Sequence, residues 1–279
     1  MNIHHFFQID LPPKGENPSG VQRFWMDSCG GRDQVARQIS AQGWRAYEAP
    51  LPTLIEAWCS RLQAVFLDIG ANTGFYSLLA ATSGARHVHA FEPVTEIADV
   101  LKANVVLSEL QTQISLHPCA LGKQVGSQTL YFPLGDHGLV ETSASMNANF
   151  RARHAEQRQV PVQTLDALIQ KGLQGIAFGA SVVPLLIKID VETAEPAVLA
   201  GAQHTLKRYR PALVCEILPE SDLDYWSQMA DMWGYLHHHT LPNAPWLSAS
   251  TEIQADAQQR DHVFLPQENA DLWLRALKD

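Results

Sequence analysis

The chain has 279 residues, of which 46% are apolar, and a formal net charge of −9. That length and apolar share suffice for one large domain, or for a domain with an appendage. The excess of acid argues against a nucleic-acid backbone as the main partner, because such a partner needs a basic face. No apolar run approaches the roughly 18 residues of a membrane span, so no membrane partner is expected. The start, Met1 to Phe7, lacks both the cationic and the apolar segment of a secretory leader. Cys29, Cys59, Cys119 and Cys215 are scattered without a C-x-x-C pair, which makes a reducing cytoplasm the expected compartment.

Residues 1 to 60 read as an N-terminal cap with helices over 33–43 and 52–62, the second marked by Leu54, Ile55 and Trp58. Residues 61 to 279 then read as one nucleoside-binding domain. From Val65 onward, strands and helices alternate, which predicts a doubly wound α/β fold with a parallel sheet. The strands are expected at 65–69, 87–91, 113–119, 185–190 and 212–217, with helices over 74–83, 95–109, 194–208 and 221–233. Shorter strands are expected at 128–132 and 159–164, and a short helix at 166–171. Tyr235 to Thr240 and His262 to Leu265 read as a terminal antiparallel pair, giving a mostly parallel, seven-stranded sheet, before a last helix over 269–278.

The first strand, Val65-Phe66-Leu67-Asp68-Ile69, runs into Gly70, Asn72 and Gly74 and then into a helical pattern. A strand, a tight glycine turn and a helix N-terminus form the place where α/β proteins bind nucleotide-like ligands. Glu92 ends the next strand, 18 residues after Gly74, where a ribose-binding carboxylate is expected. A dinucleotide turn reads G-x-G-x-x-G, but here Asn72 and Phe75 occupy its second and third glycine positions. A carboxylate such as Asp68 repels a pyrophosphate and attracts an ammonium or sulfonium. The turn therefore suits a cationic amino-acid nucleoside such as S-adenosylmethionine better than a nicotinamide dinucleotide.

Pro133 to Arg158 is long and polar, and reads as a loop that covers a substrate. The strand Pro184 to Asp190 ends in Asp190 and Glu192, and the strand Ala212 to Ile217 closes on Glu216. Asp68, Glu92, Asp190 and Glu216 thus stand at four strand ends along one edge of the sheet. Buried carboxylates need partners, so packing alone does not explain them. Lys188 precedes Asp190 by two residues and shares its face, where it can neutralise a neighbour. Asp190 is alternatively a cap for the helix starting near Thr193. In the run His237-His238-His239, strand alternation brings at most two imidazoles to one side.

The series D-I-G-A-N-T-G-F-Y-S, F-E-P, L-L-I-K-I-D-V-E-x-x-E with V-L-x-G, and P-A-L-V-C-E-I resembles the FkbM-type methyltransferases from about Phe66 to Ile217. The resemblance implies a class I S-adenosylmethionine-dependent fold and methylation of a hydroxyl on a sugar, polyketide or related small molecule. It places the methionine moiety near Asp68, Gly70 and Gly74, with Asn72 and Phe75 at the helix entrance. It also places the ribose on Glu92, the adenine beside Ala120 and Leu121, and the acceptor at Asp190 and Glu192. The family usually has glycine after D-V-E, where this chain has Thr193.

Two routes to the acceptor proton fit these residues. Asp190 serves as general base with Glu192 fixing the substrate, or Asp190, Glu216 and a third ligand hold Mg²⁺. The metal-free route is preferred, because no close ligand pair is visible in the sequence. A catalytically silent ligand-binding or interaction protein on the same fold is the alternative function. Homo-oligomerisation is left open.

Overall fold

The computed structural model describes residues 5–12, 22–133, 154–176, 183–255 and 260–278. The N-terminal segment opens with a hairpin, β1 (Phe6–Leu11) against antiparallel β2 (Gln22–Asp27), which the helical reading of this segment missed. The two predicted helices follow. Asp33 caps α1 (Gln34–Gln42) by accepting from the Ala36 N–H, and α2 (Leu51–Leu62) buries Leu54, Ile55 and Trp58.

Then come β3 (Val65–Ile69), α3 (Phe75–Ser83), β4 (His87–Phe91), α4 (Thr95–Leu107), β5 (Ile114–His117) and the two-residue β6 (Ala120–Leu121). These lead to β7 (Gly126–Pro133), β8 (His154–Gln163), α5 (Leu165–Lys171), β9 (Leu185–Ile189), α6 (Glu195–Ala200), α7 (Gln203–Tyr209) and β10 (Ala212–Glu216). The chain closes with α8 (Leu223–Trp233), β11 (Tyr235–Thr240), β12 (Leu247–Ala249), β13 (Asp261–Pro266) and α9 (Ala270–Arg275).

The central sheet has eight strands in the order β12-β11-β13-β10-β9-β3-β4-β5, one more than the sequence predicts. The extra strand, β12, is three residues long and pairs with β11 at Thr240–Leu247. It is too short to show alternation in the sequence. From β10 to β5 the strands are parallel, and β13 enters antiparallel between β10 and β11. The pieces predicted at 128–132 and 159–164 lengthen into β7 and β8, which form a separate small sheet with β6. The predicted covering loop is thereby shortened, since residues 154–158 belong to β8, and its remainder at 134–153 lies outside the described residues. The helix predicted at 194–208 breaks into α6 and α7 at Gly201. A Cβ there would come within 2.0 Å of the Gly122 carbonyl oxygen.

Hydrophobic layers cover both faces of the sheet. Phe66, Leu186 and Val214 pack against the N-terminal hairpin, α2, α3 and α9, while Leu67, Ile187 and Leu213 pack against α5 to α8. Burial on both faces explains why these strands read as continuous apolar runs rather than alternating ones. The N-terminal segment shares this core. Trp58 is fully buried, meets Trp273 edge-on and donates its indole N–H to the Trp273 carbonyl at 3.0 Å. Asn104 of α4 accepts from the Asp27 N–H and donates to the Thr73 carbonyl, both at 2.8 Å. It thereby ties the hairpin to the glycine turn. Among the described residues no helix is long and apolar enough to cross a membrane. All four cysteines are free thiols.

Candidate functional site

A cavity of about 330 Å³ opens at the carboxyl ends of β3, β4, β9 and β10. Its floor is the turn after β3, where Gly70 (φ 84°) and Gly74 (φ 100°) adopt left-handed backbone. A Cβ on Gly70 would sit 1.9 Å from the Asp190 carbonyl oxygen, and one on Gly74 would sit 2.2 Å from Leu101 Cδ1. Only glycine lets the turn lie this close to β9 and α4. Asn72 (φ 51°) accepts the Thr73 N–H on its own Oδ1 at 2.7 Å, which holds the tip of the turn.

Glu92 stands at one end of this cavity. Its Oε2 accepts the Asn72 N–H at 3.0 Å and its Oε1 accepts the Val94 N–H at 2.9 Å. Each carboxylate oxygen keeps a lone pair for a further donor. Burial raises the Glu92 pKa to about 7, opposed by those two backbone hydrogen bonds. Ala120, Leu121, Val94, Ile97 and Leu130 add an apolar wall beside it.

At the other end lies a cluster of charge. Lys188, which is 3% exposed, donates from Nζ to Asp190 Oδ2 at 2.8 Å. Burial works against the lysine's charge, but Asp190, Asp68 and Glu48 hold it protonated well above its ordinary range. Burial also opposes the charge on Asp190, yet Lys188 outweighs it and keeps that carboxyl below the usual range. On the neighbouring strand, Glu216 lies near Asp190, its Oε1 is 3.2 Å from Arg260, and its Oε2 is buried without a hydrogen-bond partner. Burial first, and then Asp190, push the Glu216 carboxyl far above the usual range. Of these two neighbouring carboxyls, Asp190 is the one that ionises more readily.

Gly70, Asn72, Gly74, Phe75, Glu92, Ala120, Leu121, Asp190, Glu192 and Glu216 all line the cavity. Asp68 does not, contrary to the expected contact with a methionine moiety. It is 1% exposed behind the turn, where it accepts from Ser77 Oγ at 2.6 Å and sits in register with Lys188. Asp190 is not a helix cap, since α6 starts at Glu195 after Ala194 with no side-chain cap. The sequence reading missed Tyr47, Glu48, Tyr76 and Arg260. Glu48 accepts from the Tyr76 hydroxyl at 2.7 Å, and Lys188 Nζ lies 4.8 Å above the Tyr76 ring. Glu48 has a positive φ of 47° between two helices, a position that no periodic pattern marks.

The model of the FkbM methyltransferase domain matches residues 68–240. This chain belongs to that family. A methyltransferase FkbM from Methylobacillus flagellatus KT is similar in structure at 16% identity and a TM-score of 0.44, covering 73% of this chain and 44% of that one. This chain thus spans less than half the length of that protein. An O-methyltransferase from Bacillus cereus, solved in complex with SAH, is similar at 13% identity and a TM-score of 0.43, covering 83% of this chain and 89% of that one. No curated protein matches the chain.

Thr193 stands where the resemblance leads one to expect glycine, and the structure gives that residue a backbone cost. Glu192 (φ 52°) and Thr193 (φ 75°) are consecutive left-handed residues, and the second is β-branched. Glycine adopts such a φ freely, whereas threonine holds it only under strain.

Proposed function

We propose that this FkbM-domain protein transfers a methyl group from S-adenosylmethionine to a hydroxyl of a small molecule. One observation carries the reading. A single cavity joins Glu92, fixed by two backbone N–H groups, to the Lys188–Asp190–Glu216 cluster. One end is built to accept from a diol, and the other to hold an anion beside a reacting group.

The donor set fits the cofactor. The lining contributes Glu48, Glu92, Asp190, Glu192 and Glu216 against only Lys188 and Arg260, an excess of acid that favours an ammonium or sulfonium and opposes a pyrophosphate. Glu92 would hold the ribose hydroxyls, and Leu121, Ile97 and Leu130 would enclose the adenine. When bound, S-adenosylmethionine supplies an activated methyl group whose leaving sulfur becomes neutral.

The protein must align the acceptor oxygen and take its proton. Alignment within a closed cavity contributes several kcal/mol, and a positioned base about 10²–10⁴-fold. Asp190 is the ionised group available for this, because Lys188 holds it deprotonated, whereas burial raises the pKa of the Glu216 carboxyl. The hydrogen bond from Lys188 keeps the Asp190 carboxylate oriented. Lys188 and Arg260 already supply cations to the two carboxylates that a Mg²⁺ ion would use, so the metal-free route suits this charge set better. The test is calorimetry with S-adenosylmethionine against NAD, followed by S-adenosylhomocysteine release across sugar and polyketide hydroxyl acceptors. Binding of NAD but not of S-adenosylmethionine would defeat the proposal.

A further inference from the structure

A second group of chemistry-bearing side chains lies outside the cavity, on the antiparallel part of the sheet. His237 and His239 are two residues apart on β11 and share a face, as alternation requires. The third imidazole comes from the neighbouring strand. His262 of β13 is the register partner of His239, and its ring stacks on that of His237 with centroids 5.2 Å apart. One ring nitrogen from each of the three lies within 4.8 Å of the others. The strand pairing thus supplies the convergence that the run His237-His238-His239 cannot reach alone.

Hydrogen bonding leaves this group incomplete. His237 Nε2 and His262 Nδ1 are 3.0 Å apart and share one proton at most as neutral rings. His262 Nε2 is buried with no hydrogen-bond partner, in a residue only 1% exposed. The facing nitrogens, His237 Nε2 and His262 Nδ1, are the ones a metal ion would take in place of the shared proton. His239 differs. Its Nε2 lies 3.2 Å from the Glu252 carbonyl, which fixes the proton there and leaves Nδ1 free to act as a ligand.

We propose that His237, His239 and His262 form a binding site for a first-row divalent metal of the zinc class, separate from the methyl-transfer cavity. Three neutral imidazoles are a nitrogen donor set that suits Zn²⁺, Co²⁺ or Ni²⁺ and does not suit Mg²⁺ or Ca²⁺, which take oxygen ligands. Tetrahedral Zn–N bonds of about 2.0–2.1 Å place ligand nitrogens roughly 3.3 Å apart. The His237–His262 pair is already near that spacing, and a ring nitrogen of His239 lies within 4.8 Å of both. His239 is the most exposed of the three and marks the side where a fourth ligand, water included, enters. The ion joins β11 to β13, and β13 begins directly after Arg260, the residue that reaches Glu216 in the cavity.

The test uses the full chain without an affinity tag, stripped with EDTA and dialysed. Zn²⁺ is titrated by calorimetry, and Co²⁺ by its visible d–d absorption. One Zn²⁺ per chain at micromolar Kd or tighter is expected, together with the intense Co²⁺ bands of four-coordination. His239→Ala, at a partly exposed position that folding tolerates, should weaken Zn²⁺ binding by about 100-fold or more, beyond what loss of an outer-shell contact costs. His262→Gln should do the same, while His117→Gln, in a different histidine group on β5, should bind Zn²⁺ like the parent. The proposal fails if the parent takes up no stoichiometric Zn²⁺. It also fails if His239→Ala binds as tightly as the parent, which would return the three rings to packing alone.

Discussion

Lys188 Nζ, from β9, and Asp190 Oδ2, from the residue just past its end, are 2.8 Å apart, and this pair sets the charge state of the acceptor end of the cavity. The lysine also faces Asp68 across the β3–β9 register, so one cation serves two carboxylates. Lys188→Met should therefore destabilise the fold by about 3 kcal/mol, since it leaves buried charge unpaired. The pH dependence has a definite sign. Lys188 depresses the Asp190 pKa in the folded state, so the stability it provides is present above the unfolded pKa and is lost as pH falls through the folded value. The gap between parent and Lys188→Met in urea denaturation should thus be widest near neutral pH and should narrow in acid. A gap independent of pH would mean that packing, not charge, is what Lys188 contributes.

Glu92 gives a second pH signature with the opposite sign. Burial raises its pKa to about 7, so the folded protein holds a proton there that the unfolded chain releases at ordinary carboxyl values. The resulting stabilisation is greatest below the unfolded pKa and fades as pH rises towards 7. Ribose hydroxyls donate best to the ionised form, so cofactor affinity should rise with pH through about 7 and level off above it. Glu92→Gln should flatten that profile. Glu92→Ala should weaken binding of S-adenosylmethionine or its demethylated product by about 1.5–3 kcal/mol. Calorimetry across neutral pH checks both. A folded Glu92→Ala protein with parental affinity would show that the ribose lies elsewhere.

Thr193 tests how much its left-handed backbone costs the fold. Its φ of 75° follows Glu192 at 52°, and a β-branched residue in that region stores strain. Thr193→Gly should stabilise the protein by about 1 kcal/mol, the relief of strain exceeding glycine's added unfolded-state entropy. For a chain of this size that is roughly a 2–3 °C rise in Tm. A lower Tm in the variant would show that contacts of the threonine side chain outweigh its backbone cost.

The parts of the site legible in the sequence are those encoded within one βαβ unit. β3 and β4 fall where apolar runs meet Gly70 and Glu92, because burial on both faces writes a continuous signal and the turn requires glycine. Lys188 and Asp190 were readable as neighbours because they lie two residues apart at the end of β9. Features that depend on distant segments were not. Glu48 reaches Tyr76 and Arg260 reaches Glu216 from irregular stretches, and His262 meets His237 only through the pairing of β11 with β13. The β1–β2 hairpin likewise depends on packing against α3 and α4, which local propensity does not report. Asp68 was misplaced because a strand-end acid reads the same whether it faces ligand or a buried Ser77 and Lys188.

Asp190 carries the test of where chemistry happens. Its carboxylate accepts from Lys188, with Glu216 nearby, and it lines the cavity beyond the glycine turn. Asp190→Asn keeps the size and one acceptor oxygen but cannot take a proton. Cofactor affinity should stay nearly unchanged, because Glu92 and the turn are untouched. Methyl transfer should fall by about 10²-fold or more, the usual loss on removing a positioned base. The metal question is answered in the same assay. If Lys188 and Arg260 supply the cationic charge, adding Mg²⁺ to the parent leaves turnover unchanged, whereas strong Mg²⁺ activation would assign Asp190 and Glu216 to a metal. Near-parental turnover by Asp190→Asn would remove Asp190 from the reaction and leave its ion pair with Lys188 as a structural contact.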